Sequence, residues 1–381
     1  MPGFRGLFVV FLLLLFAVPA SASTMLPDGY LSTKGSQIID HAGRPVRINA
    51  VGWNQIGPDI ADNVAGMRRA GFNAVRVSWV NESVRRDLAV IDRIVEAAAR
   101  HGIKVIIDNH TNNVGRGPRD NWGAQQKNGL WYDKGGASDG TDGGGNVGTT
   151  TDAKFLDDWV IVARRYAGNT TVIGYDLRNE PLAYSGMSTW GDDSNRDLRA
   201  MYQRVGNAVQ AVDPGKLIIC EGPQNFRDSF AGTGPAPWGD LSLVARFPVV
   251  LNVPNKLVYS VHDYPAYVGG FRPDSGPEKV RMMNAAWGYI VTRGIAPVWI
   301  GELGANLTDP SQHAWAQTMI AYVKGRLGDL GGPTFKEDEE GIGTCWWVWG
   351  HLPGQELEGT LTANGSLRAA QRAVWMQLRG K

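Results

Sequence analysis

Short apolar runs rich in β-branched residues recur along the chain, and longer stretches with a helical period separate most of them. These runs show little alternation between apolar and polar residues, so both faces of each must be buried, which is typical of parallel strands. Eight such runs occur: VRINAVGW (46–53), AVRVSW (74–79), KVIIDNH (104–110), VIGYDLRNE (172–180), LIICEG (217–222), LVYSVHDY (257–264), PVWIGELG (297–304) and GTCWWVWG (343–350).

The intervals contain clear helical periods, at 84–101, 153–166, 195–212 and 311–327. Thr151 and Asp152 precede the second of these, and both residue types cap helices. Eight strands alternating with helices predict an α/β fold, a (β/α)8 TIM barrel that forms a single domain over 23–381. A doubly wound sheet would need a glycine-rich phosphate turn after the first strand, and Trp53 and Asn54 stand there instead.

The first 22 residues have the pattern of a signal peptide. Arg5 supplies a positive flank, LFVVFLLLLFAV (7–18) an apolar run, and ASA (20–22) a small-residue cleavage site. We therefore expect residues 1–22 to be removed and the mature protein to be secreted, extracellular or periplasmic. A retained anchor is the alternative, but no other apolar run approaches the roughly 18 residues that span a bilayer.

The charge balance argues against polyanionic partners. With Arg5 removed from the 38 basic residues, 37 remain against 37 acidic ones. Such a chain has no electrostatic footprint for nucleic acid or for an anionic membrane surface. We predict a neutral substrate, no nucleic-acid partner, no membrane partner after signal removal, and a monomer.

Cys220 and Cys345 are the two cysteines of the chain. In a secreted protein they could form a disulfide bond. They lie in the predicted fifth and eighth strands, however, which are not neighbours in a barrel. We predict two buried thiols that pack as small apolar side chains.

Segment 111–151 has no hydrophobic period and is rich in glycine and asparagine. Long segments of this kind in compact domains are functional or disordered loops. A loop after the third strand lies on the active-site face of a barrel, so we predict that it forms one wall of a cleft. Its stretch DGTDGGGN (139–146) weakly resembles a calcium loop but lacks the EF-hand spacing and terminal glutamate, which favours a flexible turn.

Polar and aromatic residues collect where the predicted strands end. They are Trp53, Arg76, Trp79, Asp108, His110, Asn179, Glu180, Glu221, His262, Tyr264, Glu302, Trp347 and Trp349. Any one could be structural, but together they predict a site, because barrels carry their chemistry at strand ends. Glu180 and Glu302 suggest glycoside hydrolysis, which needs an acid for the leaving oxygen and a carboxylate on the other face of the sugar. Pro181 would turn the chain out of the strand after Glu180.

At these positions the chain resembles glycoside hydrolase family 5, the retaining cellulases on a (β/α)8 barrel. The resemblance rests on NEP (179–181) and GELG (301–304) and extends from VGWN (51–54) to CWWVWG (345–350). It is strongest to bacterial endo-β-1,4-glucanases of the first subfamily, in NVPNKLVYSVHDYP and WGYIVTRGIAPVWIGELG. It implies an endoglucanase that cleaves cellulose or a related β-glucan by double displacement, with no cofactor and no metal.

The resemblance also implies roles for individual residues. Glu302 would be the nucleophile and Glu180 the acid/base. Asn179 would bond the sugar 2-hydroxyl, whose hydrogen bond strengthens in the transition state. Arg76 and Tyr264 would keep the Glu302 carboxylate charged and aligned, since an adjacent guanidinium favours the ionised form of a carboxyl group.

Further positions would contact the sugar. By the same resemblance His110 and His262 would line the sugar site, and Trp347 would stack beneath the ring next to the cleavage point. The 14 tryptophans of the chain suit a neutral glycan, because apolar sugar faces stack on aromatic rings. The candidates for such subsites are Trp53, Trp131, Trp190, Trp347 and Trp349, with core packing as the alternative for each.

Two residues depart from the family pattern. Arg178 precedes Asn179 where a neutral or aromatic residue is usual, and we expect it to pair with Asp176 or Glu221 unless it faces the cleft. Leu303 replaces the usual aromatic residue after the nucleophile.

Other functions fit the same residues. The scaffold could cleave mannan, xyloglucan, mixed-linkage glucan or a lipid-linked glycan, or act as an exo-glucosidase, because barrel loops set specificity. A binding-only barrel is possible, although a lectin has no need of both glutamates. A metal-dependent hydrolase would use Asp108, His110 and His262 as ligands.

Overall fold

The computed structural model describes residues 25–54, 56–112, 129–133, 149–183, 187–351 and 359–379. The predicted signal peptide at 1–22 and most of segment 111–151, including 139–146, lie outside the described residues. No helix in the described ranges combines the length and apolarity that a bilayer crossing requires.

The strands are β1 (Ser32–Lys34), β2 (Gln37–Ile39), β3 (Asn49–Trp53), β4 (Ala74–Val80), β5 (Lys104–Thr111), β6 (Val172–Asp176), β7 (Leu217–Glu221), β8 (Leu257–Asp263), β9 (Val298–Leu303) and β10 (Thr344–Trp346). The α-helices are α1 (Ile60–Ala70), α2 (Val84–His101), α3 (Asp152–Tyr166), α4 (Leu198–Val212), α5 (Ala266–Gly269), α6 (Gly276–Met283), α7 (Tyr289–Thr292), α8 (His313–Val323) and α9 (Ala369–Arg379). A π-helical segment, Asn284–Gly288, joins α6 to α7.

Strands β3 to β10 close into one barrel in the order β10-β3-β4-β5-β6-β7-β8-β9. Every pairing around the barrel is parallel. Each of the eight predicted runs overlaps one of these strands, with β4 and β5 extending one residue further, so the predicted (β/α)8 TIM barrel is confirmed. The limits of the domain at 23 and 381 stay a prediction.

The amino-terminal half of the barrel interior is apolar. One buried cluster takes residues from near the starts of the barrel strands: Ala50, Ala74, Ile106, Ile173, Leu217, Ile219, Val258, Trp299 and Cys345. Leu31 and Ile38 from the antiparallel β1–β2 hairpin belong to the same cluster. The hairpin therefore closes the amino-terminal end of the barrel.

A larger apolar cluster fills the space between the strands and the helices. In α2 its members Leu88, Ile91 and Val95 recur at three- and four-residue spacing, which places them on one helix face. The helix ends where Gly102 takes a φ of 67°, a left-handed conformation that glycine adopts without a Cβ clash. At the start of α3 the Thr151 side chain accepts a hydrogen bond from the Lys154 amide, as its sequence position predicted.

Cys220 and Cys345 are both buried and free. Burial raises the pKa of each thiol well above its ordinary value, so neither forms a reactive thiolate readily. The prediction of two buried thiols is confirmed.

Candidate active site

Arg76 lies at the centre of a buried polar network in the carboxyl-terminal half of the barrel. Its side chain, fully buried on β4, donates hydrogen bonds to residues from three other strand ends. Nη1 is 2.6 Å from Glu302 Oε1, Nε is 2.8 Å from Asp176 Oδ2, and Nη2 is 2.9 Å from Asp108 Oδ1. Nη2 also lies 2.9 Å from Asn179 Oδ1. One guanidinium thus fixes the relative positions of four side chains.

The charged groups in this network differ in the balance between burial and the charges of their neighbours. Burial raises the pKa of Asp176 to about 6, although Arg76 acts in the opposite direction. Burial would also raise the pKa of Asp108, but Arg76 and His110 outweigh it and lower that pKa. Burial opposes the charge of Arg76, and the neighbouring carboxylates Asp108, Asp176 and Glu302 nevertheless raise its pKa well above its usual value. The guanidinium therefore stays charged.

Glu302, on β9, has a donor at each carboxylate oxygen. Arg76 binds Oε1, and the Tyr264 hydroxyl donates to Oε2 over 2.7 Å. Burial and the charge of Glu302 raise the pKa of Tyr264 well above its ordinary value, so the phenol keeps the proton that it donates. The carboxylate is held by two donors that do not lose their protons, an arrangement that suits a fixed anionic nucleophile.

Glu180 follows β6 with an unusual backbone conformation. Its φ of 44° lies in the left-handed region, a backbone conformation that residues with a Cβ rarely adopt. The Glu180 amide donates to Glu221 Oε2 over 2.9 Å, and its Oε1 lies 2.9 Å from His262 Nδ1. The chain turns out of the strand at this point, one residue before Pro181, and the Glu180 side chain remains partly exposed.

His262, on β8, lies among three glutamates. Its Nδ1 is 2.9 Å from Glu180 Oε1 and 3.7 Å from Glu302 Oε2, and its Nε2 is 3.5 Å from Glu221 Oε2. Burial disfavours a charged imidazole, but Glu221, Glu302 and Glu180 outweigh burial and raise the pKa of His262 to about 9. The imidazole links the two predicted catalytic carboxylates.

The His110 and Trp347 rings stack on each other at this rim. The two rings are parallel within 5°, with centroids 5.5 Å apart. His110 Nδ1 lies 2.7 Å from Asp108 Oδ2, which fixes the imidazole. A Cβ at Gly52 would come within 2.5 Å of the Trp347 ring, so glycine is required there for the indole to occupy its place. Trp347 remains half-buried.

The other predicted substrate-binding tryptophans are more deeply buried. Trp53 and Trp131 are each 2% exposed and Trp190 is 3% exposed. Trp190 packs against Tyr202 and Tyr259 and donates its N–H to the Phe247 carbonyl, so its position supports core packing rather than sugar stacking.

Trp131 and Trp349 also use their indole N–H groups within the protein. Trp131 donates to Asp152 over 2.6 Å and borders a pocket of about 240 Å³ that Arg204 also lines. Trp349 is buried and donates to Asn63 over 2.8 Å. Sugar contacts of Trp53, Trp131 and Trp349 stay predictions.

Arg178 does not form the expected ion pair with Asp176 or Glu221. Its buried guanidinium donates to Asn109 Oδ1 and Asn112 Oδ1 over 2.9 and 2.7 Å, and to the Leu130 carbonyl over 2.9 Å. Asp176 instead binds Arg76, and Glu221 binds the Glu180 amide. Burial lowers the pKa of Arg178 to about 10.

The alternative of a metal ligand set at Asp108, His110 and His262 gains no support from the geometry. Among the described residues the cluster that could hold a cation is instead Glu180, His262 and Glu302, with ligand atoms within 4.8 Å of one another. The Arg76 guanidinium contacts Glu302, and a fixed positive charge beside a ligand oxygen disfavours a bound cation. The residues fit proton transfer better than metal binding.

Two residues make contacts at the site that the sequence did not predict. Glu221 binds the Glu180 amide, and its place two residues after buried Ile219 on the same strand was the available signal. Trp238, half-buried, packs edge-to-face on Tyr264 with ring centroids 5.3 Å apart. Trp238 lies in a long loop after β7, where no periodic pattern marks it.

The chain is similar to proteins of known family. The family model described as "Cellulase (glycosyl hydrolase family 5)" matches residues 39–352. An endoglucanase of Paenibacillus polymyxa is 30% identical over 344 residues, which cover 80% of this chain and 79% of that protein. The major extracellular endoglucanase of Xanthomonas campestris pv. campestris is 26% identical over 338 residues, which cover 78% of this chain and 63% of that protein.

Solved structures share the fold. The catalytic domain of the Xanthomonas campestris major endoglucanase superimposes with a TM-score of 0.70 at 22% identity, covering 92% of this chain and 100% of that one. A cellotetraose complex of an endocellulase from Pyrococcus horikoshii superimposes with a TM-score of 0.70 at 22% identity, covering 93% and 100%.

The barrel and the comparisons together define a glycoside hydrolase. The chain belongs to the cellulase family, glycosyl hydrolase family 5.

Proposed function

We propose that the protein cleaves internal β-1,4-glucosidic bonds of cellulose or a related β-glucan with retention of configuration. One observation carries the mechanism: a carboxylate oxygen of Glu180 and one of Glu302 lie within 4.8 Å of each other. Retaining enzymes hold their two carboxyl groups about 5–5.5 Å apart, whereas inverting enzymes leave about 6.5–9.5 Å for a water molecule. The short separation favours direct attack by one carboxylate.

In the first step Glu302 attacks the anomeric carbon while Glu180 protonates the departing glycosidic oxygen. The C–O bond to the leaving sugar breaks as the bond to Glu302 forms. Arg76 and Tyr264 aim the nucleophile through their hydrogen bonds to its two oxygens. In the second step Glu180 takes a proton from water, the water oxygen attacks the same carbon, and Glu302 leaves.

The neighbouring residues position the sugar. Asn179 is held by Arg76 at the strand end, where its amide can meet the 2-hydroxyl. The half-buried Trp347, stacked on His110, supplies an aromatic surface at the strand ends. An aromatic surface of this kind suits the apolar face of a pyranose ring.

The substrate class rests on the relatives. Two curated relatives are named endoglucanases, and a structural neighbour was solved with cellotetraose. The balanced charge of the chain agrees with an uncharged glycan. Secretion, through a signal peptide at 1–22, and a monomeric state complete the proposal.

Two assays test this function. Carboxymethylcellulose, mixed-linkage β-glucan, mannan and xylan are compared as substrates, and preference for mannan or xylan would refute the β-glucan assignment. With azide, Glu302→Ala should give an α-glycosyl azide and Glu180→Ala a β-glycosyl azide, because azide replaces the nucleophile in one case and water in the other. Exchanged anomers would reverse the two roles.

A matched control for these variants is Asp263→Asn. Asp263 is also a buried strand-end carboxylate, but it binds Lys279 Nζ and the Trp315 indole rather than the site. Azide should not change the products of this variant.

A further inference from the structure

Glu221 is a buried carboxyl group next to the proposed catalytic pair. It ends β7, and its side chain has no solvent exposure. Oε2 accepts the Glu180 amide hydrogen over 2.9 Å and lies 3.5 Å from His262 Nε2. The Tyr202 hydroxyl donates to the Glu221 carbonyl over 2.7 Å, so the backbone of Glu221 is fixed as well. A rigid group therefore touches Glu180 and its imidazole partner together.

The contact with the Glu180 amide falls where the backbone is strained. A residue with a Cβ at a φ of 44° is strained, and the conformation persists only when its surroundings hold it there. On the preceding residue, the Asn179 amide donates to the Asn109 carbonyl over 3.0 Å. The Glu221 contact holds the next amide, and these two bonds fix the turn that directs the Glu180 side chain.

The second contact acts from the other side. His262 Nδ1 meets the Glu180 carboxylate, while Nε2 of the same ring faces Glu221. Glu221 thus accepts a hydrogen bond from the Glu180 backbone and makes a close charge contact, without a hydrogen bond, with the ring that binds the Glu180 side chain.

We propose that Glu221 is a positioning residue for Glu180. Glu221 holds the left-handed backbone of Glu180 and the His262 imidazole, so that the Glu180 carboxyl group meets the leaving oxygen. The inference rests on the proposed role of Glu180 as acid/base. Glu221 itself touches neither substrate nor reacting atoms in this mechanism.

The contact with the Glu180 amide needs an acceptor oxygen on Glu221, which the charged and the neutral carboxyl group both supply. Its carboxyl group faces His262, Glu180 and Asp176, and burial raises its pKa well above the ordinary value. A neutral carboxyl group resembles a glutamine amide in size and still offers an acceptor oxygen. Glu221→Gln should therefore preserve the contact with the Glu180 amide, whereas Glu221→Met fills the space without an acceptor.

The experiment compares two leaving groups. Cellopentaose needs proton donation to its departing sugar, whereas 2,4-dinitrophenyl β-cellobioside releases a phenolate that needs none. General acid catalysis contributes about 10²–10⁴-fold, so Glu221→Met should lose roughly tenfold or more kcat/KM on cellopentaose relative to the aryl glycoside. Glu221→Gln should restore most of that difference.

Controls separate this inference from the proposed function. Glu180→Ala should show the largest leaving-group difference, and its absence there would refute the role of Glu180 itself. Asp263→Asn should reduce both activities in parallel. Equal losses on both substrates in Glu221→Met, or no loss at all, would overturn the positioning role. If Glu221→Met fails to fold by circular dichroism, Glu221→Ala provides the same comparison.

Discussion

The two halves of the barrel interior are built from the same strands but hold opposite kinds of side chain. On β5 the inward position changes from Ile106 to Asp108, and on β7 from Ile219 to Glu221. Because successive inward residues are two positions apart, one step along a strand separates an apolar core from a charged site. The comparison shows that two residues along a strand are enough to pass from the stabilising core to the candidate site.

The energetic basis of the two halves differs accordingly. The amino-terminal half gains free energy from apolar burial, at about 25 cal/mol per Å². The carboxyl-terminal half removes charges from water, which costs free energy unless every charge is paired. We therefore expect substitutions in the first half to change stability and substitutions in the second to change both stability and rate.

The largest effect is expected for Arg76→Met. This change leaves Asp108, Asp176 and Glu302 without their shared cation and removes one donor to Glu302, the proposed nucleophile. We expect kcat/KM on a soluble β-glucan to fall about 10²–10³-fold, and the free energy of unfolding to fall by about 3–5 kcal/mol.

Lys256→Met is the matched control. Lys256 is a buried cation at the amino-terminal end, where its Nζ contacts the Leu31 and Gly215 carbonyls. The Lys256→Met variant should be less stable than the wild type and should retain its kcat/KM. A fall in kcat/KM equal to that of Arg76→Met would abolish the distinction between the two halves.

Ile219→Ala tests the apolar half. The substitution opens a cavity in the buried cluster and should lower the free energy of unfolding by about 2–5 kcal/mol. Denaturation in urea measures this loss, and kcat should remain close to that of the wild type below the transition. A large loss of kcat with little loss of stability would contradict the prediction.

His262 predicts a pH dependence of stability. Its pKa, about 9 in the folded protein, exceeds the ordinary value of 6.5, so folding favours the protonated ring. The resulting stabilisation is complete below pH 6.5 and is lost as the pH rises through 9, by on the order of 3 kcal/mol. The stability advantage of the wild type over His262→Gln should shrink across this window in urea titrations. The His41→Gln variant, changed at an exposed histidine, is the control for the loss of a histidine without a buried partner. If the stability advantage of the wild type over His262→Gln stayed constant with pH, the raised pKa of His262 would be contradicted.

The smallest effect concerns the thiols. Because Cys220 and Cys345 are buried and free, a reductant should leave the melting temperature unchanged. Both should react with a thiol reagent only after unfolding. A lower melting temperature on reduction would instead indicate a disulfide bond.

Much of this arrangement follows from local patterns. The predicted helices at 84–101 and 153–166 agree with α2 and α3 within one residue, because amphipathic periods and capping residues lie in the sequence itself. The strand ends that meet at the rim were also predictable. Local patterns predicted the strands, and closure of a barrel brings all carboxyl ends of its strands together.

Contacts between distant strands could not be predicted in this way. The expected partners of Arg178 were carboxylates, but the actual partners are neutral oxygens from β5 and the following loop. Glu221 binds a backbone amide 41 positions away, which no spacing in the chain reveals. The β1–β2 hairpin is also too short for a periodic signal.

The hairpin at the closed end determines how this enzyme could be attached to a surface. Thr33 donates its amide hydrogen to the Asn255 carbonyl, and Lys256 binds Leu31 and Ser32, so the segment is fastened to the base of β8. A tether joined ahead of this hairpin would emerge opposite the catalytic rim. Immobilisation through that end on a bead or a fibre would leave the strand ends that carry the candidate site facing the solution.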